Sequence, residues 1–328
     1  MKPSELKDAV KTLYELRRPG FIWGPPGIGK SDIIRAAADE LKIKCVDKRL
    51  AQSDPTEIKG YPWPDQAKKT MTFFQDGSLP TSGKGLLFLD ELAHAPQAVQ
   101  NVTFQLALDR RIADYKLPDG WVVVAAGNRT TDRSGANPIN AALASRFVHI
   151  DLHVDPDEWL DWAMANSISD ITRGYIRYRP KNLCIDAIEP GMRAFPTPRS
   201  WAFADSIAQR DMDPKLKAEL LRGTLGEGVG NEYMGYVRDH AQLVKIERIL
   251  VDPANAPLPE GPSATYAVIA ALESNTTTQN FDRLMKYVER LEPEFQVVYI
   301  TCVTRAVPDV ANTMAYINWV RKNRAAIL

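Results

Sequence analysis

Residues 24–31, GPPGIGKS, follow the short apolar run Phe21–Trp23 and precede a segment rich in helix formers that reaches Leu41. Gly24, Gly29, Lys30 and Ser31 satisfy the spacing G-x-x-x-x-G-K-[ST], in the strand, loop and helix context that the motif needs. Glycines let the backbone bend until successive N–H groups point inward. Together with the positive end of the following helix, those groups form a cradle for phosphate oxygens. Gly24, Pro25, Pro26, Gly27, Ile28 and Gly29 are the candidate cradle residues. Lys30 would neutralise β and γ phosphates, and Ser31 would hold Mg²⁺ through its hydroxyl. The competing reading is an ordinary tight turn beside a solvated lysine.

A second chemical signal lies in GLLFLDELAHAPQAVQN. Leu86 to Leu89 make a buried strand whose end delivers Asp90 and Glu91 to the sheet edge where ligands bind in such folds. Asp90 would orient the hydrated Mg²⁺, and Glu91 would polarise the water that attacks a γ-phosphate. Exposed turn carboxylates are the alternative for this pair. A third apolar strand, in WVVVAAGNRTTD, ends in Gly127 and Asn128, whose amide could hold the attacking water or the phosphate, or could simply turn the chain. ATP or ADP with Mg²⁺ is the expected ligand set, and nucleotide hydrolysis the expected reaction.

These residues need a scaffold. Strand-length apolar runs at Phe21–Trp23, Ile43–Val46, Leu86–Leu89, Val122–Ala126 and Phe147–Leu152 alternate with helix-like stretches, which predicts an α/β fold with a parallel sheet over residues 1–152. After Leu152 the pattern becomes helical: DPDEWLDWAMANS, SWAFADSIAQRD and DPKLKAELLRGTLG are helix-length and open on Asp-Pro or Ser. An all-helical unit is expected over 153–250. DPANAPLPEGP then predicts a stiff, proline-rich linker at 251–262, followed by a helical extension over 263–328. There Phe281, Leu284, Met285, Val288 and Leu291 recur at helical spacing behind Asn280 as a cap, and Pro293 can start the next helix.

Bulk properties narrow the classes. The 41 basic side chains balance 41 acidic ones, so no electrostatic bias favours nucleic acid or membrane. The charged N-terminus and the lack of any long apolar run lead to an expected cytoplasmic location with no membrane association. Cys45, Cys184 and Cys302 lack metal-ligand spacing and are expected as buried thiols. With His94, His149, His153 and His240 the only histidines, no zinc centre is expected.

The order GPPGIGKS, LLFLDE, AAGN and NAALASRF resembles that of an AAA+ ATPase module, and more narrowly the MoxR branch that includes the CbbQ and NorQ activators. RLAQSDPTEIKGYPWPD, DELAHAPQAVQNVTFQLALDRRI and FPTPRSW carry the narrower likeness, which covers roughly residues 15–210. The resemblance implies an AAA+ P-loop NTPase core followed by a helical lid. It also implies a ring, with six subunits expected, that hydrolyses ATP to remodel or activate a protein client, often one with a von Willebrand factor A domain. Asn128 matches the family's sensor-1 residue, Arg146 in ALASRF its arginine finger acting on the neighbouring subunit's nucleotide, and Arg199 in PTPRSW its sensor-2 arginine. Arg110, Arg111, Arg129 and Arg133 are rival candidates for the finger.

The family's insertion between Asp54 and Pro80 offers Tyr61 and Trp63 beside prolines, suited either to a protein partner or to packing over the sheet. His94 reads as a structural imidazole. Two other classes share the phosphate loop. A nucleic-acid motor of helicase or clamp-loader kind would show a basic aromatic groove, and a small-molecule kinase would have no use for an arginine from another subunit.

Overall fold

The computed structural model describes residues 1–75, 77–129, 132, 135, 137, 139, 144–185, 188, 189, 191–240 and 246–323. Strands β1 (Gly20–Trp23) and β2 (Lys44–Arg49) are followed by a hairpin, β3 (Tyr61–Asp65) and β4 (Thr70–Phe74), and by β5 (Lys84–Asp90). A two-residue hairpin, β6 (Arg111–Ile112) and β7 (Tyr115–Lys116), precedes β8 (Gly120–Gly127) and β9 (Val148–Asp151). Five of these form one parallel sheet in the order β2-β5-β8-β1-β9. This is the α/β architecture of a P-loop nucleotide-binding fold.

Position in the sheet explains composition. Central β5 and β8 are buried along almost their whole length and are apolar runs, because both faces are covered. Edge strand β2 runs three residues beyond the expected Ile43–Val46, through Asp47, Lys48 and Arg49. It is only half-buried, so hydrogen bonding to β5 rather than hydrophobicity extends it. At the other edge β9 is shorter than the expected Phe147–Leu152.

One face of the sheet packs Phe21, Leu87, Leu89, Val123 and Ala125 against Val99 and Leu106 of α4 (Gln97–Asp109). Helices α1 (Pro3–Glu15), α2 (Lys30–Glu40) and α3 (Pro55–Lys59) complete this part of the chain. Residues Met1–Glu158 with Asp186–Gly191 form one compact unit, and Trp159–Ile185 with Met192–Leu328 form a second.

The helices that follow are α5 (Pro156–Ala165), α6 (Asp170–Tyr178), α7 (Pro198–Gln209), α8 (Pro214–Leu225), α9 (Glu227–His240), α10 (Ile246–Val251), α11 (Gly261–Asn275), α12 (Phe281–Val288), α13 (Pro293–Ala306) and α14 (Met314–Lys322). No strand occurs among the described residues of the second unit. Asp213 caps α8 by accepting from the N–H groups of Lys215 and Leu216, as its Asp-Pro start predicts. One expected cap falls elsewhere, and another holds its position without a side-chain bond to the helix. Ser200 sits inside the first turn of α7, and Thr197 is the cap, the two exchanging side-chain and backbone hydrogen bonds. Asn280 makes no side-chain bond to its helix; its Oδ1 accepts from Thr277 N at 2.8 Å and its Nδ2 donates to Asn275 O at 2.8 Å.

The proline-rich stretch expected to act as a stiff spacer is tied down instead. Prolines stop a helix but keep their carbonyls as acceptors. The Arg290 guanidinium donates to Pro253 O at 2.7 Å and Ala256 O at 2.8 Å, while the Tyr287 hydroxyl donates to Pro257 O at 2.9 Å. Ala256 lies in the same core cluster as Ile249, Val268, Phe281 and Tyr299. Most of the residues assigned to a lid, 159–185 and 192–250, therefore lie in one compact unit with those assigned to an extension, while 153–158 and 186–191 fall in the first unit. Glu273 of α11 is buried and pairs with two arginines of α6, Arg173 at 2.9 Å and Arg177 at 2.7 Å. The thiols differ from expectation in degree: Cys45, Cys184 and Cys302 are half-buried and form no disulfide, and burial pushes the Cys45 thiol up to about 11.

Glu273 is the counter-charge for two buried guanidiniums, and removing one side of such an arrangement leaves charge in a poorly solvated site. Glu273→Ala is expected to cost about 3–5 kcal/mol. Thermal unfolding followed by circular dichroism measures it; an unchanged Tm would mean the pairs contribute nothing net.

Candidate nucleotide site

The loop between β1 and α2 takes its shape from two glycines with positive φ, Gly27 at 77° and Gly29 at 90°. At Gly29 the demand is conformational, since a Cβ would meet nothing within 4 Å; at Gly24 it is space, since a Cβ would stand 2.6 Å from Ile28 Cδ1 and 3.1 Å from Leu152 O. Gly29 is also the N-cap of α2 and offers no side chain to satisfy the first-turn N–H groups. Those groups have no partners inside the helix and carry its positive end, which suits an anion.

Lys30 opens α2 and is buried. Its ammonium donates to Gly24 O at 2.6 Å, Pro25 O at 2.9 Å and Asn128 Oδ1 at 2.8 Å. The sheet makes the last contact possible: Trp23 is in register with Gly127, so the residue after β8 stands beside the phosphate loop. Ser31 Oγ donates to Asp90 Oδ2 at 2.8 Å. Register again places Asp90, because Leu89 pairs with Ala125 and Arg49 pairs with Asp90. The structure thus brings Lys30, Ser31, Asp90 and Asn128 to one end of the sheet.

Glu91 follows Asp90 at that end. It is exposed, and its N–H donates to Asp90 Oδ1 at 2.9 Å. Its φ of 58° lies in the left-handed region, uncommon for a residue with a side chain. This turn starts the short 3₁₀ segment Leu92–His94. A hydroxyl and a carboxylate oxygen meeting at 2.8 Å are the hard-oxygen pair that Mg²⁺ takes, so Ser31 and Asp90 fit the metal that the motif implies. Among the described residues no group of three or more His, Cys, Asp or Glu could hold a metal by itself.

The arginines separate. Arg146 lies in the turn before β9, at the opposite end of the sheet from the phosphate loop. Arg110 ends α4 and lines a cavity with Arg146. Arg129 is engaged within the chain, its Nε and Nη2 donating to Asp151 Oδ1 at 2.9 and 2.7 Å. Arg111 is exposed at the start of β6, and Arg133 lies outside the described residues. Arg199 is exposed in the first turn of α7, in the second unit. The insertion is a hairpin rather than a loop, and its Tyr61, Trp63, Met71 and Phe74 are exposed, so the two aromatics do not pack over the sheet.

One feature escaped the sequence. Trp23 Nε1 donates to His149 Nδ1 at 2.7 Å, and His149 Nε2 lies 2.7 Å from Ala144 O. An accepting Nδ1 puts the ring proton on Nε2, which donates to that carbonyl. The residue before the phosphate loop is thereby connected to the segment carrying Arg146. No local signal marks His149, because only pairing of β1 with β9 brings it to Trp23.

Residues 19–147 match the family model of the AAA domain, dynein-related subfamily. Over those residues the chain is similar to an AAA domain. It is 26% identical over 187 residues to midasin of Giardia intestinalis, a match covering 54% of this chain and 4% of midasin. The chain thus spans a small fraction of that relative's length. Among solved structures, the Thermotoga maritima RuvB Holliday junction branch migration motor is similar at 16% identity and a TM-score of 0.41, over 82% of this chain and 80% of that one. NtrX from Brucella abortus in complex with ADP is similar at 15% identity and a TM-score of 0.37, over 99% and 68%. At those scores neither likeness carries an inference about activity.

Lys30→Ala removes the charge that the loop, Asn128 and the helix end surround. Nucleotide affinity is expected to fall by roughly 100-fold or more, since charge-assisted bonds contribute about 1.5–3 kcal/mol each. Titration with a fluorescent ATP analogue reads it; retained affinity would remove Lys30 from the site.

Proposed function

We propose that this protein is an ATP-hydrolysing AAA+ motor of MoxR type, assembled as a ring of six, that remodels or activates a protein client. The observation that carries the reading is the convergence of Lys30 with Asn128, and of Ser31 with Asp90, at one end of the parallel sheet. The ring and client come from the family resemblance, as does a client bearing a von Willebrand factor A domain. The exposed Trp63 and Phe74 pair, rings 6.0 Å apart, supports contact with protein. No described helix is long and apolar enough to cross a membrane.

In this reading the loop N–H groups and Lys30 hold the β and γ phosphates, and Ser31 and Asp90 hold the cation. Mg²⁺, when bound there, offsets charge on the phosphate oxygens. Glu91 accepts a proton from the attacking water as its oxygen joins the γ-phosphorus, and the bond to the ADP oxygen breaks. Asn128 orients that water or the γ-phosphate. Arg146 from another copy stabilises charge spreading over the transferring group, an arrangement that makes turnover depend on assembly. Arg199 is the proposed sensor-2 arginine. A kinase reading needs an acceptor and gives no role to Arg146.

Two results test this reading. Glu91→Gln should bind ATP with near-normal affinity and hydrolyse it on the order of 10²–10⁴-fold more slowly, the range of a general base. ATP turnover per subunit, measured against protein concentration with mass recorded in parallel, should rise and saturate as the ring forms. A monomer that turns over ATP at full rate would end the ring mechanism while leaving the nucleotide site standing.

A further inference from the structure

Asn128 stands one residue past the end of β8, so strand pairing does not hold it, yet its Oδ1 meets the Lys30 ammonium at 2.8 Å. The next residue supplies a restraint. Arg129 donates from Nε and Nη2 to Asp151 Oδ1 at 2.9 and 2.7 Å, and its own N–H donates to Asp132 Oδ2 at 2.7 Å. Asp132 N in turn donates to Arg129 O at 3.1 Å, which closes a turn directly behind Asn128.

The position of the ion pair in the sheet gives it a further consequence. The strand order is β8-β1-β9, and Gly127, Trp23 and Asp151 lie level on the three strands. A bond from Arg129 to Asp151 therefore joins the strands on either side of β1 at the level where the phosphate loop begins. Neighbouring strands stand about 4.8 Å apart, so β8 and β9 are separated by roughly 10 Å across β1. A guanidinium on a long side chain meeting a carboxylate covers that span. Backbone bonds fasten the same place from both flanks: Gly24 N donates to Gly127 O at 3.3 Å, and Leu152 N donates to Trp23 O at 2.8 Å. The root of the phosphate loop, the two flanking strand ends and the residue that meets Lys30 thus form one hydrogen-bonded unit.

Folding gives little reason for the pair. The Arg129 side chain is 30% exposed and that of Asp151 59%, and ion pairs so open to water contribute little to stability. Geometry gives a better one, because a small displacement of a group that must meet a reacting atom changes rates steeply. We propose that Arg129 and Asp151 are positioning residues that act within one chain, holding Asn128 where its amide meets the attacking water or the γ-phosphate. Arg129, a rival for the finger by its sequence, then belongs to its own subunit's site. This inference rests on the hydrolytic reading of that site and adds to it two residues that act through Asn128.

Arg129→Met and Asp151→Ala each remove one end of the bond, and both side chains reach water, so neither change should disturb folding. In each variant turnover at saturating ATP should fall roughly ten-fold, the scale of a slightly misplaced group, while affinity for the fluorescent ATP analogue and the Tm stay at wild-type values. A merely structural pair would lower the Tm and leave kcat unchanged. The double variant should be no slower than either single one, because both losses come from the same bond. An equal mixture of Arg129→Met with Lys30→Ala should turn over no faster than the mean of the separate rates, since every copy's site lacks one of its own parts. Wild-type turnover in both single variants, losses that multiply in the double variant, or a loss carried by affinity or Tm rather than by kcat would each overturn the proposal and leave ATP hydrolysis at this site standing. Rescue in the mixture would overturn it as well, since Arg129 would then act on a neighbouring copy. An unmutated protein that binds the analogue without hydrolysing ATP would instead end the hydrolytic reading, and this inference with it.

Discussion

Parallel hydrogen-bonded register is the constraint on which the candidate site depends. Trp23 lies level with Gly127, Leu89 with Ala125, and Arg49 with Asp90, so three strands end together and discharge Gly24, Asp90 and Asn128 into one crevice. A slip of one residue would turn Leu87 and Leu89 out of the core they share with Phe21. Hydrophobic burial therefore holds the register, and the register holds Lys30 within 2.8 Å of Asn128. Side chains separated by 98 positions in the chain become neighbours through the two strands' alignment.

A sheet has two ends, and this one treats them differently. At the C-terminal ends of the strands lie positive backbone groups with paired acids; at the N-terminal ends lies a cluster of arginines. His149 supplies a physical connection between the two ends, bonded to Trp23 beside the loop and to Ala144 near Arg146.

The helical unit is held by a different economy. Its charges are inside: Glu273 with Arg173 and Arg177, and Asp205 accepting from Ser169, Thr172 and Gln209. Satisfied polar groups at such depth specify one arrangement of helices, because any shift strands a donor or a charge. The proline-rich stretch joins this arrangement through its carbonyls.

Short-range chemistry was legible in the sequence. The spacing of Gly24, Gly29, Lys30 and Ser31, the apolar run ending at Asp90 and Glu91, and the alternation of strands with helices are all local patterns, set by backbone geometry within a few residues. Helix starts were legible where Asp-Pro marks them, and misplaced where two hydroxyls compete, as at Thr197 and Ser200. What only the tertiary structure decided depends on partners far away in the chain: the extension of β2 by β5, the docking of residues 252–260 by Arg290 and Tyr287, the pairing of Trp23 with His149, and the gathering of Arg17, Arg18, Arg110 and Arg146 at one cavity. Polar and charged residues produce no periodic signal of their own. Where each one ends up is settled by which strand ends and helix ends the hydrophobic core brings together.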